Sequence, residues 1–226
     1  MKKSIKTYLK RPSKDNTNRS ANPSVTRAST ILFDTMQELK KHELKIKQNK
    51  KITHYSYGRY GSSTTIELEN ILKELENAYH VFLTGTGFGG IALALMSLCR
   101  PGDEILVSDN VYGPTKEISE KLLKEFNINA LFYNPDSFED LKNKVTKKTK
   151  MILVENPGSI TFEFQDLSKI VSLAKKNNIL TLLDNTWGTP LYLKPLELGF
   201  DMSFSSATKY FSGHSDAMGG SLAVNK

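Results

Sequence analysis

The chain has 226 residues, which is enough for one large domain or for one domain with an extension. Its 38% hydrophobic and 24% charged residues are typical of a globular protein and exclude a largely disordered chain. The net charge of +7 raises the question of a nucleic-acid partner, but the lysines are interleaved with glutamates and no zinc-knuckle or aromatic-basic motif occurs. We therefore expect neither a nucleic-acid partner nor a metal site.

The start of the chain and its one cysteine bear on location. Residues 1–14 are basic but contain no apolar stretch long enough for a signal peptide, and no segment approaches the length of a membrane span. We therefore expect a cytoplasmic protein without a membrane partner. Cys99 lies in an apolar helical run, which predicts a core residue, and a single cysteine cannot form an internal disulfide.

The first 60 residues are predicted to form an extended arm with one helix. Residues 19–29 are rich in Asn, Ser, Thr and Pro and should be irregular, whereas 34–50 follow a helical pattern with a basic end. A glycine-broken aromatic loop with Tyr57 and Arg59 comes next. Such loops are usually plain turns, although an arginine there can also grip an anion through its fork of donors.

Residues 61–226 are predicted to form an α/β domain. Its helices are expected at 64–78, 91–98, 114–126, 138–145 and 167–177. Its strands are expected at 81–83, 104–108, 130–133, 151–155, 179–183, 202–205 and 221–224. Several strands are apolar on both faces, as strands covered on both sides must be. This alternation predicts a mostly parallel sheet with helices on both faces.

A glycine-rich loop follows the first predicted strand of this domain. Gly85, Gly87 and Gly90 match the dinucleotide fingerprint, and Asp109 lies at a later strand end, where an acidic residue would complete it. Small residues, however, let backbone N–H groups approach a phosphate whichever molecule carries it. The loop alone leaves a dinucleotide, another phosphate or no ligand open. If a phosphate binds, Gly87 and Phe88 would donate their N–H groups.

Two further candidates follow strand ends. Asp184 closes the apolar strand 179–183, at the position where open α/β sheets bind ligands. A carboxylate there can pair with a pyridine nitrogen and strengthen the ring as an electron sink, or it can simply cap the next turn. Tyr112 follows another strand and can stack on a flat ring, or it can serve only in packing.

Lys209 follows the strand 202–205 after small and hydroxylated residues. We expect this lysine to be short of water and able to attack a carbonyl, with an ordinary surface lysine as the alternative. The hydroxyls of Ser206 and Thr208 flank it and can hold a phosphate. A dinucleotide site would leave Asp184 and Lys209 without a role. A pyridoxal 5'-phosphate site uses the glycine loop, the tyrosine, the aspartate and the lysine together.

Five sequence strings carry a family resemblance. They are RASTILFD (27–34), YGRYG (57–61), ENPGSITFE (155–163), DNTW (184–187) and SATKYFSGHSDAMGG (206–220). On these strings the chain resembles the Cys/Met-metabolism (trans-sulfuration) enzymes of the fold-type I pyridoxal-phosphate class. PGSITFE and DNTW are most similar to the cystathionine β-lyases of that family, less so to its γ-synthases and γ-lyases.

The resemblance implies roles for the candidate residues. Lys209 would link to the cofactor's aldehyde and move the proton of the substrate's α-carbon, Asp184 would pair with the pyridine nitrogen, and Tyr112 would stack on the ring. The phosphate-binding positions would be Gly87, Phe88, Ser206 and Thr208. Tyr57 and Arg59 match residues that reach the phosphate of a neighbouring subunit, which implies a homodimer or a tetramer.

The resemblance also implies a reaction: β-elimination of the sulfur amino acid L-cystathionine to homocysteine, pyruvate and ammonia. Members of the family continue into a C-terminal domain that supplies an arginine for the substrate carboxylate. We expect this chain to lack that half of the site and to show weak or no lyase activity alone. A non-catalytic remnant or split subunit, and a nicotinamide-dependent oxidoreductase, are the competing hypotheses.

Overall fold

The computed structural model describes residues 23–48, 52 and 55–225 of the chain. The predictions for residues 1–14, and for the ends of the 19–29 and 34–50 segments, fall wholly or partly outside that range. The chain divides into two compact units, Met1–Leu72 and Lys73–Lys226. The boundary falls inside one helix.

The first unit contains the predicted arm helix. This helix, α1, spans Met36–Lys47 and begins where the Thr35 hydroxyl accepts a hydrogen bond from the N–H of Glu38 at 3.1 Å. A short 3₁₀ turn at Gly58–Tyr60 and helix α2 (Ser63–Glu76) follow. The side chains of Thr26 and Ser63, 2.6 Å apart, join the extended segment to the start of α2.

The second unit is built on a seven-stranded sheet. Its strands are β1 (His80–Thr84), β2 (Glu104–Ser108), β3 (Asn129–Tyr133), β4 (Thr149–Glu155), β5 (Leu180–Asp184), β6 (Met202–Ser205) and β7 (Gly220–Val224). The strand order is β1-β7-β6-β5-β4-β2-β3. Only β7 runs antiparallel to its neighbours, so the predicted mostly parallel sheet is confirmed.

The helices of this unit lie on both faces of the sheet. They are α3 (Gly87–Leu98), α4 (Gly113–Glu117), a π-helical turn (Ile118–Leu122), α5 (Leu123–Glu125), α6 (Phe138–Lys144), α7 (Leu167–Asn177), α8 (Thr189–Tyr192) and α9 (Pro195–Leu198). One apolar core packs α3 against the sheet and contains Cys99, as predicted. A second core packs α6 and α7 against the other face. Alternate residues of the buried strands therefore enter different cores.

Three features differ from the sequence expectations. Helix α3 begins at Gly87 rather than at 91, because the Thr86 hydroxyl caps it by accepting from the N–H of Gly89 at 3.0 Å. The helix predicted over 114–126 is interrupted by the π turn. The four-residue helices α8 and α9, each with a proline in the first turn, are too short for a periodic signal. No helix in the described ranges is long and apolar enough to cross a membrane.

Candidate active site

The predicted site residues of the second unit meet at one edge of the sheet. Because β7 is antiparallel to both β1 and β6, the other six strands all run in the same direction. Their carboxyl ends share an edge, which we call the carboxyl edge. Gly87 follows β1, Tyr112 follows β2, Asp184 ends β5 and Lys209 follows β6, so the sheet brings these four positions to the carboxyl edge.

Gly87 and Ser206 form one corner of the site. A Cβ atom added at Gly87 would lie 2.7 Å from the Ser206 hydroxyl oxygen, so the start of α3 packs directly against the turn after β6. The first N–H groups of a helix have no acceptor within it. The Thr86 hydroxyl accepts a hydrogen bond from the N–H of Gly89. The N–H groups of Gly87 and Phe88 remain available beside the Ser206 hydroxyl. This arrangement of donors is suited to a phosphate.

Thr186 joins this corner to Asp184. Its hydroxyl accepts a hydrogen bond from the N–H of Ser206 at 2.9 Å, and its own N–H donates to Asp184 Oδ1 at 3.0 Å. The end of β5 and the turn after β6 are therefore held in a fixed relation. Sequence reasoning did not single out Thr186, although it lies within the DNTW string.

Asp184 and Glu155 form a pair of neighbouring carboxyl groups. They are register partners at the ends of the parallel strands β5 and β4, and Asp184 is only 7% exposed. Burial raises the pKa of Asp184. Burial and the negative charge of Asp184 raise the pKa of Glu155 further above its ordinary value. Two such close carboxyl groups disfavour a second negative charge, so the pair holds a proton more readily than an exposed carboxyl group does.

Tyr112 is anchored to that pair through its backbone. Its N–H donates to Glu155 Oε2 at 2.6 Å, and the residue is 51% exposed at the start of α4. The ring is therefore available at the carboxyl edge rather than packed in the core. Glu155 was not predicted as a site residue. The signal that could have revealed it is its position at a strand end beside Asp184.

Lys209 lies in a turn rather than in a buried position. Its carbonyl oxygen accepts from the N–H of Gly213 at 2.8 Å, and its side chain is exposed, so the expectation of a lysine short of water is wrong for the described structure. Thr208 ties this turn to the start of β7 because its hydroxyl contacts both the carbonyl oxygen and the N–H of Gly219, at 3.2 and 3.1 Å. Its predicted contact with a phosphate stays a prediction.

An aromatic row lies beside these groups and was not predicted. Trp187 packs edge-on against Phe162 with ring centroids 5.7 Å apart, and its centroid lies 6.1 Å from that of Tyr210. All three rings are at least half exposed. Side chains of this kind can cover a flat or apolar ligand.

Tyr57 and Arg59 belong to the first unit. The Arg59 guanidinium lies over the rings of Tyr57 and Tyr60, 5.6 and 5.1 Å from their centroids, and donates to the Tyr60 hydroxyl at 3.2 Å. Contacts of this kind modestly stabilise the position of a guanidinium at an exposed site. Its predicted role toward a neighbouring subunit stays a prediction.

The acidic residue of the dinucleotide fingerprint is already engaged. The carboxylate of Asp109 forms an ion pair with Lys116 on α4. The donors at Gly87, Phe88 and Ser206, and the buried carboxyl group of Asp184, instead fit the phosphate and the pyridine nitrogen of pyridoxal phosphate. Pyridoxal phosphate would use all of these groups, whereas a dinucleotide would leave Asp184 without a role.

Comparisons with known proteins agree with this chemistry. A family model described as Cys/Met metabolism PLP-dependent enzyme matches residues 6–226. Cystathionine beta-lyase of Bordetella avium is 36% identical over 203 residues, which is 90% of this chain and 50% of that protein. L-alanine/L-glutamate racemase of Wolbachia pipientis is 32% identical over 212 residues, which is 90% of this chain and 51% of that protein.

The solved structures show the same fold. A protein from Campylobacter jejuni whose structure contains N'-pyridoxyl-lysine-5'-monophosphate aligns with a TM-score of 0.89 at 26% identity, over 100% of this chain and 55% of that one. The chain spans about half the length of the curated relatives it matches. Because the family model covers almost every residue and the fold agrees, the chain belongs to the Cys/Met metabolism enzymes, a family that depends on pyridoxal phosphate.

Proposed function

We propose that the chain provides the cofactor-binding part of a carbon–sulfur lyase that cleaves L-cystathionine by β-elimination. The observation that carries this proposal is the convergence at the carboxyl edge of phosphate donors, a buried aspartate, an exposed tyrosine and a lysine. Pyridoxal phosphate, when bound, supplies the aldehyde that captures the substrate amine and the ring that accepts electrons from the α-carbon.

The residues of the chain have distinct tasks in this proposal. The N–H groups of Gly87 and Phe88 and the Ser206 hydroxyl hold the phosphate. Asp184 would pair with the pyridine nitrogen and keep it protonated, because a neighbouring opposite charge favours the charged form of a group. Tyr112 covers one face of the ring.

Lys209 moves the proton in the proposed reaction. Its amine would hold the aldehyde of the cofactor and, when free, would take the proton from the α-carbon of the substrate. The bond from the β-carbon to sulfur then breaks, and the sulfur leaves as the thiolate of homocysteine. Hydrolysis of the remaining three-carbon fragment gives pyruvate and ammonia.

Trapping the cofactor tests the proposal. The purified chain is incubated with pyridoxal phosphate, reduced with borohydride and digested, and the modified peptide is identified by mass spectrometry. We expect the label on Lys209, and we expect it to disappear in Lys209→Ala but not in Lys148→Ala, which removes another exposed lysine. A parent chain that takes up no label, or labels elsewhere, would refute the proposal.

Analysis of the reaction product tests which substrate the protein uses. The similarity to the β-lyase of Bordetella avium supports cystathionine, so any turnover, however weak in the chain alone, should yield pyruvate, whereas a γ-lyase would release 2-oxobutyrate. The similarity to the Wolbachia racemase supports a second candidate, since racemisation also begins with removal of the α-proton. Formation of D-alanine from L-alanine without pyruvate from cystathionine would favour the racemase.

A second copy of the chain is the proposed partner. Support comes from the family resemblance at Tyr57 and Arg59, and from the exposed guanidinium, which contacts two tyrosine rings. We expect Arg59→Ala to weaken cofactor binding at concentrations where light scattering detects a dimer. An equal effect on a dilute monomer would contradict a contribution across subunits.

A further inference from the structure

The proposed reaction assigns no role to Glu155, although this residue lies at the carboxyl edge. It ends β4 between the strand that carries Asp184 and the strand that leads to Tyr112. One carboxyl oxygen accepts the N–H of Tyr112 at 2.6 Å. A half-buried carboxyl group beside another carboxyl group lowers the stability of the folded chain, so we expect Glu155 to have a functional role.

The backbone around Glu155 is also fixed from the other side. Its carbonyl oxygen accepts from Gln165 Nε2 at 3.3 Å, and the same amide nitrogen donates to the Ser108 hydroxyl at 2.9 Å. The Gln165 carbonyl in turn accepts from the Tyr133 hydroxyl at 2.8 Å. The Glu155 side chain therefore projects from a hydrogen-bonded support, while Tyr112, whose backbone it holds, is exposed.

We propose that Glu155 is a positioning residue, which acts by holding the backbone of Tyr112 so that the tyrosine ring stands over the cofactor ring that Asp184 binds. This inference rests on the proposed function, since it assigns the ring of Tyr112 to the cofactor. It adds a residue that touches neither the cofactor nor the substrate. The hydrogen bond requires an acceptor oxygen at position 155, and either a carboxyl group or a carboxamide provides one.

The first test needs no cofactor. Amide exchange of Tyr112 in the apo chain is followed by ¹H–¹⁵N NMR in the parent, Glu155→Ala, Glu155→Gln and the surface control Glu139→Gln. We expect exchange at Tyr112 to accelerate about tenfold or more in Glu155→Ala, and to stay within about threefold of the parent in Glu155→Gln. Unchanged exchange in Glu155→Ala would overturn the proposal whatever the fate of the cofactor.

The second test asks whether the effect passes through the tyrosine ring. Cofactor affinity is measured by fluorescence titration for Glu155→Ala, Tyr112→Ala and the double variant. We expect Glu155→Ala to weaken cofactor binding about tenfold in the otherwise unchanged chain. In the Tyr112→Ala background, where the ring is already absent, the same substitution should weaken cofactor binding less than about twofold. Equal losses in both backgrounds would overturn the proposal.

Two results keep the two proposals apart. If the parent shows no borohydride label on Lys209, the proposed function fails, and the exchange data then confine Glu155 to holding a loop. If the label forms but Glu155→Gln loses affinity as strongly as Glu155→Ala, the positioning proposal fails and the proposed function stands. Thermal melts monitored by circular dichroism confirm that each variant is folded.

Discussion

The hydroxyl oxygen of Ser206 lies 2.7 Å from the place that a Cβ atom would take at Gly87. Real side chains do not approach so closely, so any larger residue at position 87 must displace the Ser206 side chain. Since the two residues come from opposite sides of β7 in the sheet, this contact joins two halves of the proposed phosphate site.

Gly87→Ala is therefore expected to weaken pyridoxal phosphate binding about tenfold, or about 1.4 kcal/mol, because Ser206 must move. Gly85→Ala is the matched control, since a Cβ atom at Gly85 meets nothing within 4 Å. The measurement is a fluorescence titration of each variant with the cofactor. Equal affinities for the two variants would show that the contact does not shape the site.

Thr186→Val tests the link between β5 and the turn after β6. The substitution removes the acceptor of the Ser206 N–H and should lower the free energy of unfolding by about 1 kcal/mol, because a partly buried donor is left unpaired. Thr186→Ser keeps the hydroxyl and should recover most of the loss. Urea unfolding monitored by circular dichroism gives both values, and a Val variant as stable as the parent would argue against the link.

Asp184→Asn is expected to lower the pKa of Glu155 toward its ordinary value. Burial is the main cause of the raised pKa and will persist, but the negative charge of Asp184 adds to it and would be gone. The titration is followed by NMR with ¹³C-labelled glutamate, and Glu155→Gln identifies the signal. The exposed substitution Asp136→Asn should leave that signal unchanged, and an unshifted Glu155 in Asp184→Asn would refute the coupling.

Glu76 is expected to make stability fall as the pH rises. The side chain is 2% exposed, and burial raises its pKa from 4.5 to about 7, while nearby Ser203 and Lys194 act in the opposite direction. Between those two values the unfolded chain has released the proton that the folded chain retains. Folding is therefore penalised progressively across this window, by at most about 3 kcal/mol.

The comparison with Glu76→Gln isolates this contribution. The variant should lose less stability than the parent between pH 4.5 and pH 8, as measured by urea unfolding at each pH. Glu74→Gln, an exposed substitution on the same helix, should follow the parent. Parallel pH profiles for the parent and Glu76→Gln would contradict the prediction.

The sheet and most of the carboxyl edge could be predicted because their signals are local. Runs of apolar residues mark the buried strands, and positions such as Asp184 and Lys209 are found by counting from the strand ends. The role of Glu155 could not be found in this way, because it depends on which strand lies beside β5 and in what register. The exposure of Lys209 could not be predicted either, because composition indicates where a strand ends but not which path the following turn takes.

The same reasoning explains the start of α3. Glycines have poor helix propensity, so the sequence predicts a loop from Gly87 to Gly90. The Thr86 cap and the close packing of Gly90 against Phe204 outweigh that preference in the folded chain. Tertiary contacts of this kind are invisible to a periodicity argument.

The antiparallel strand β7 has a consequence for how the site is made. It lies between β1 and β6 in the sheet, although it follows both in the chain. The start of α3 and the turn after β6 thus cannot be fixed beside each other until residues 220–224 have been synthesised and inserted. Pairings so distant in sequence form slowly, so we expect cofactor affinity to arise late in folding, as one event rather than by gradual growth of the site.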